Sequence, residues 1–170
     1  LNEKGEVNEA LLKEINLKNE DFVKLYKYMY TTRVLDSWCL RLQRLGKAAI
    51  HAPNEGQEAI GVGTAYAARP EDWFFLSYRE LGAIIARNVP LSEILARILA
   101  NKNDHMKGHE FLIFGSYKYH MVPTTTPVGV HLPSAVGFAH AAKIRKDRIV
   151  VLAYFGDGAT SKGDFHEACN

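Results

Sequence analysis

Apolar residues along this chain follow a helical period first and a strand pattern later. From residue 19 to about residue 45, Phe22, Leu25, Tyr26, Met29, Val34, Leu35, Trp38, Leu42 and Leu45 recur three and four apart, and Gly46 follows as a stop. That spacing predicts one long amphipathic helix. Ahead of it, residues 1–18 are polar and irregular, which predicts an arm. Asn54 with Gln57 three residues on resembles a capping box, opening a second helix through Ala59, Ile60, Val62, Ala65 and Ala68 that Pro70 ends. "DWFFLS" reads as a short buried strand, and residues 79–88 and 91–100 as two further helices separated by Pro90.

Residues 101–131 have no sustained period and contain Gly108, Gly115, Pro123, Pro127 and Gly129. A connection of that length is usually functional or disordered. Pro133 then starts another helix through Ala135, Val136, Phe138, Ala139 and Ala142. After it, "RIVVLAYF" is β-rich and apolar at nearly every position, the pattern of a central parallel strand buried on both faces. The alternation predicts an α/β fold with a parallel sheet.

Length and composition narrow this picture. At 170 residues with 47% hydrophobic content, the chain can build one domain with a real core. A net charge of +2 with interspersed signs offers no footprint for nucleic acid or an anionic membrane, so a small molecule or a protein is the expected partner. Cys39 and Cys169 lack metal-ligand spacing and read as reduced thiols. No apolar run reaches membrane-spanning length, and "LNEKGEVNEA" lacks the order of a signal peptide. The expectation is a soluble cytoplasmic protein.

The candidate chemistry lies in "VVLAYFGDGATSKGDF", where a strand runs into Gly156-Asp157-Gly158 and then a helix cap, with Ser161 and Asp164 as a plausible capping pair. A strand, glycine turn and helix N-terminus together make an anion site. Three readings remain open. Asp157-Gly158 can be a turn dipeptide with Gly at positive φ, although no second strand follows to complete a hairpin. A dinucleotide loop needs another spacing, since the glycines fall at 156, 158 and 163, and a carboxylate would repel a bare pyrophosphate. A divalent cation between carboxylate and diphosphate removes that repulsion.

From about Tyr28 to Asn170 the ordered segments "NEGQEAIGVG", "SYRELGAIIAR", "TTTPVGVHLPSAVGFAHAAK" and "YFGDGATSKGDFHEACN" resemble the α subunit of the decarboxylating first component of 2-oxo acid dehydrogenases, of branched-chain or pyruvate type. The resemblance implies residues 19–170 as the N-terminal half of a thiamin-diphosphate-binding α/β domain. It implies Asp157 as a Mg²⁺ ligand, with Gly156, Gly158 and Ala159 meeting the cofactor. Tyr78 and Arg79 would bind the diphosphate, and Thr126 and Val128 would contact the aminopyrimidine. Arg79 past a strand end also suits a phosphate on its own chemistry. Tyr78 alone reads as a packing residue, and Val128 rests on the resemblance.

The implied reaction is oxidative decarboxylation of a 2-oxo acid, branched-chain favoured over pyruvate, with acyl transfer to the lipoyl arm of an acyltransferase component. A β subunit would complete an α₂β₂ assembly. The alternatives are another thiamin-diphosphate enzyme, acetoin-cleaving or transketolase-like, and a non-catalytic assembly module. The sequence departs from the family at Lys162, where an acidic residue is usual. It departs again at Val130 and His131, where Thr and Gln commonly hold a monovalent cation, and in "KGHEFLIFGSYKYH", which lacks a Met-Pro-x-His pattern. The family's later Asn pair and His loop have no counterpart here, so a fragment, inactive alone, is expected. His105, His109 and His120 read as loop residues, and His140 and His166 as helix positions. His51 is the one histidine that could face a substrate channel, although the sequence supplies it no partner.

Overall fold

A computed structural model describes residues 4–15, 17–109, 114–123 and 126–170. Within the predicted arm lies a short helix, α1 (Glu9–Glu14), which forms because the Asn8 side chain accepts the N–H groups of Ala10 and Leu11 at 3.1 and 3.2 Å. It buries no residue, so the segment is still an arm. The long helix α2 (Asn19–Arg44) begins where Asp21 accepts the Lys18 N–H at 2.8 Å, and Gly46 at φ 67° terminates it. α2 buries Thr32, Leu35, Asp36 and Cys39, leaving Tyr26, Tyr30, Val34 and Trp38 exposed on a neighbouring stripe.

The second predicted helix starts later than its apparent capping box. α3 (Glu58–Ala67) has Gln57 at its N-cap, and Asn54 is buried with its amide directed elsewhere. Asn54 Nδ2 donates to the Ala52 carbonyl at 3.0 Å, and Oδ1 accepts the Leu81 N–H at 2.9 Å. Tertiary bonds therefore hold the side chain that local sequence would have assigned to a cap. The Leu81 N–H opens α4 (Leu81–Ala86), whose six residues are all buried. α3 and α4 approach so closely at Gly61 that a Cβ there would lie 2.8 Å from the Ala83 nitrogen.

Three short parallel strands, β1 (Trp73–Phe75), β2 (Met121–Val122) and β3 (Val151–Ala153), form a sheet in the order β2-β1-β3. Phe74 pairs with Met121 on one side and Leu152 on the other, which makes β1 the buried centre. Two expectations change here. β2 lies inside the aperiodic 101–131 stretch, after one turn of 3₁₀ helix (Tyr117–Tyr119), and two residues are too few to show a period. β3 is an edge strand of intermediate burial, and Val150 and Phe155 beside it are exposed, because an apolar run does not say which neighbour covers it.

α5 (Leu91–Ile98), α6 (Leu132–Arg145) and α7 (Gly163–Cys169) complete the chain. The core centres on Phe74, Leu76, Met121, Val62 and Cys39. Among the described residues no helix is long and apolar enough to cross a membrane.

Candidate functional site

Because the strands are parallel, all three release their chains at the same edge of the sheet. β1 leads to Ser77, Tyr78 and Arg79; β2 leads through Pro123 to Thr126 and Val128; β3 leads to Gly156, Asp157, Gly158 and Ala159. Ligands of open α/β sheets collect at this carboxyl edge. The ladder extends one bond past β3, with the Tyr154 N–H on the Phe75 carbonyl at 3.0 Å, which carries the two loops on side by side. Gly129 closes the third side: at φ 80°, a Cβ built on it would sit 3.3 Å from Ala159 Cβ. Just after it, His131 Nε2–H donates to the Tyr154 carbonyl at 2.7 Å. Residues 124–125 of "TTTPVG" and 110–113 of "KGHEFLIFG" lie outside the described residues.

The turn after β3 is a 3₁₀ turn (Asp157–Ser161) in which neither Gly156 nor Gly158 has positive φ, so the turn-dipeptide reading loses its reason for glycine. A Cβ on either would meet nothing within 4 Å. Both glycines leave backbone open to whatever approaches. Asp157 is exposed and its carboxylate has no hydrogen bond or ion pair among the described residues. Arg79 is exposed too, stacked on the Tyr78 ring with its guanidinium carbon 4.9 Å from the centroid, and forms no ion pair among the described residues. An unpartnered carboxylate and an unpartnered guanidinium on one sheet edge fit a metal–diphosphate pair. No group of three or more His, Cys, Asp or Glu among the described residues could hold a metal, so Asp157 offers a single protein ligand. Thr126 and Val128 are both exposed on the approach to α6.

One expected detail differs. Ser161 does not cap α7; Lys162 takes the N-cap position and its ammonium pairs with Asp164 at 3.1 Å, a surface contact. Val130 and His131 offer the loop no side-chain oxygen, and these residues do not fit a monovalent cation. His131 Nδ1 is buried and has no hydrogen-bond partner among the described residues.

Behind Tyr78, a cavity of about 50 Å³ is lined by His51, Asn54, Glu80 and Ile84. His51 has the partner that sequence could not supply: its Nε2 lies 2.6 Å from Asp36 Oδ1, on α2. Asp36 also accepts the Asn54 N–H at 2.8 Å, and Gln43 Oε1 accepts the His51 N–H at 3.0 Å. Burial pushes the Glu80 carboxyl up to about 7, only partly offset by the Arg79 N–H at 3.1 Å. Neither Asp36 nor Glu80 stands out in the sequence, although an acid on the face that buries Thr32, Leu35 and Cys39 was a signal.

The family model described as "Dehydrogenase E1 component" matches residues 26–170, most of the chain. The chain belongs to this family. A 2-oxoisovalerate dehydrogenase subunit alpha, mitochondrial, of Dictyostelium discoideum is 35% identical over 156 residues, covering 91% of this chain and 35% of that protein. Its Arabidopsis thaliana counterpart, subunit alpha 2, is 36% identical over 92% of this chain and 33% of its own length. The Homo sapiens subunit alpha is 36% identical over 91% and 35% respectively. This dehydrogenase E1 component chain therefore spans about a third of the length of these curated relatives. Their names also overturn the expectation of a cytoplasmic protein, since all three are named as mitochondrial subunits. That expectation rested on two free thiols and on N-terminal residues without a leader pattern, and neither feature is an address.

Proposed function

We propose that this chain is part of the α subunit of a thiamin-diphosphate-dependent 2-oxo acid dehydrogenase and carries its diphosphate- and Mg²⁺-binding face. One observation carries the reading: three parallel strands deliver Tyr78-Arg79, Thr126-Val128 and Gly156–Ala159 to one sheet edge, in a chain of the dehydrogenase E1 component family. Arg79 holds diphosphate oxygens with its guanidinium fork, over the Tyr78 ring. Asp157 ligates Mg²⁺, an ion that takes one or two carboxylates and completes its shell with phosphate oxygens and water. Gly156 and Gly158 admit the cofactor to the backbone, Ala159 is fully buried against Gly129 and backs that turn, and Thr126 and Val128 form the wall on the ring side.

Bound there, thiamin diphosphate supplies the nucleophilic carbon and the electron sink for loss of CO₂ from a 2-oxo acid. The protein's contribution is to bind, orient and neutralise charge. A branched-chain acid is favoured over pyruvate because the relatives are named for 2-oxoisovalerate. A β subunit completes an α₂β₂ enzyme, and a lipoyl-bearing acyltransferase component takes the acyl group.

The test is calorimetric titration of thiamin diphosphate, with and without Mg²⁺, into the full-length subunit assembled with its β partner. Asp157→Asn is expected to abolish the Mg²⁺ dependence of binding. Arg79→Gln is expected to weaken binding by about 10–100-fold, the worth of a charge-assisted hydrogen bond. Neither side chain holds the fold together, so melting temperatures should stay put. Unaltered affinity in both variants sinks the reading.

A further inference from the structure

We propose that His51 is a catalytic acid–base residue, whose Nδ1 meets the carbonyl end of the 2-oxo acid and exchanges a proton with its keto oxygen. This deepens the reaction proposed above and rests on it. The geometry begins with Asp36, an acceptor when ionised, whose Oδ1 lies 2.6 Å from His51 Nε2. Nε2 must then carry a hydrogen, and Nδ1 is the atom left for other work. The two side chains are 9% and 5% exposed, so this is an enclosed pair and not a surface contact.

Nδ1 has no partner among the described residues, yet it is not sealed: the sealed, unpartnered ring nitrogen among them belongs to His131. His51 lines the cavity behind Tyr78, which has Asn54 and Glu80 on its polar side and Ile84 and Ile94 on its apolar side. Asn54 ties the segment to the head of α4, through the Leu81 N–H at 2.9 Å, so the imidazole is held at a fixed place beside the β1–α4 loop. The charged and titratable groups around it are Asp36 from α2, Tyr78 and Glu80 from that loop, and Arg97 from α5, itself paired with Asp104 at 2.9 Å.

When the keto carbon is attacked, its oxygen takes the π electron pair. The proton on Nδ1 passes to that oxygen, the N–H pair stays on nitrogen, and the imidazolium becomes neutral with Nε2–H still on Asp36. Water reaching the cavity restores the proton. A positioned acid–base group of this kind contributes about 10²–10⁴-fold.

The test uses the full-length subunit assembled with its β partner. In His51→Gln the amide nitrogen reaches the place of Nε2 and keeps the Asp36 bond, so only the Nδ1 function is lost. Expected results are unchanged melting temperature and thiamin diphosphate affinity, kcat down about 100-fold, and loss of one limb of the kcat pH profile. As a readout independent of turnover, ¹⁵N NMR of histidine-labelled, cofactor-free protein should show the His51 Nδ1 resonance moving on addition of 2-oxoisovalerate while Nε2 stays in place. A His51→Gln enzyme within threefold of wild type, with the same pH profile and a silent Nδ1 resonance, overturns the acid–base role alone. A wild-type assembly that releases no CO₂ from any 2-oxo acid overturns the reaction reading, and the role of His51 with it.

Discussion

Glu80 shows how a residue next to a binding loop can gain chemistry from its surroundings alone. Its carboxyl rises from an ordinary 4.5 to about 7 because burial disfavours the charged form. The folded state thus prefers the neutral acid: the associated stability is fully present below the ordinary value and is lost as pH rises through about 7. The shift corresponds to on the order of 3 kcal/mol. Urea denaturation from pH 4 to 8 should show wild-type stability falling across that window, and Glu80→Gln should be nearly flat; an equal slope in both would rule this out. Such a residue was hidden in the sequence because burial, not identity, sets its behaviour. Tyr78, Arg79 and Asp157 could be singled out as candidates because each stands in an ordered motif. His51 was half legible: its place before "NEGQEA" drew attention, but Asp36, fifteen residues away, meets it only through folding.

At the scale of elements, the contacts that align strands and helices are few and specific. Asp72, just before β1, accepts the Val150 N–H at 2.7 Å and the Arg69 N–H at 2.7 Å and pairs with the Arg69 guanidinium at 2.9 Å. Burial works against its charge, but these partners win and hold the carboxyl below its ordinary value of 3.8. The sign is opposite to that of Glu80: this stability is present above 3.8 and is lost as pH falls through the depressed value. Asp72→Ala should cost about 1–3 kcal/mol, since it removes the acceptor of two partly buried N–H groups and loosens the start of β3, leaving the Trp73 N–H on the Val150 carbonyl at 2.9 Å; chemical denaturation at pH 7 measures it. The α3–α4 crossing makes a second test. Gly61→Ala should cost about 1–3 kcal/mol, because its Cβ would press on the Ala83 backbone where nothing flexible can yield. Helices with a full apolar period, such as α2, were readable to within a residue or so; strands of two or three residues such as β2 were not, because a period needs length.

For the molecule as a whole, two of the places where exposed apolar side chains fall together are the α2 stripe of Tyr26, Tyr30, Val34 and Trp38, and the β3 edge with Val150, Phe155 and, from α6, Val136. Patches of this kind, and an uncovered strand edge, mark surfaces that bind something. The 170-residue polypeptide is therefore expected to associate as its concentration rises, as read by light scattering coupled to size-exclusion chromatography; a strict monomer at 100 µM on the order of tens of hours would count against it. The sequence by itself determined the α/β class, the long helix and the four ordered segments, because each depends on local periodicity or on residues adjacent in the chain. Only the tertiary structure decided that β1 is the centre and β3 an edge, and that Asn54 serves α4 and not α3. It also decided that Asp36 stands behind His51 and that Gly156 and Gly158 carry no positive φ. These are relations between residues far apart in sequence, fixed by parallel pairing and by burial, which no local pattern encodes.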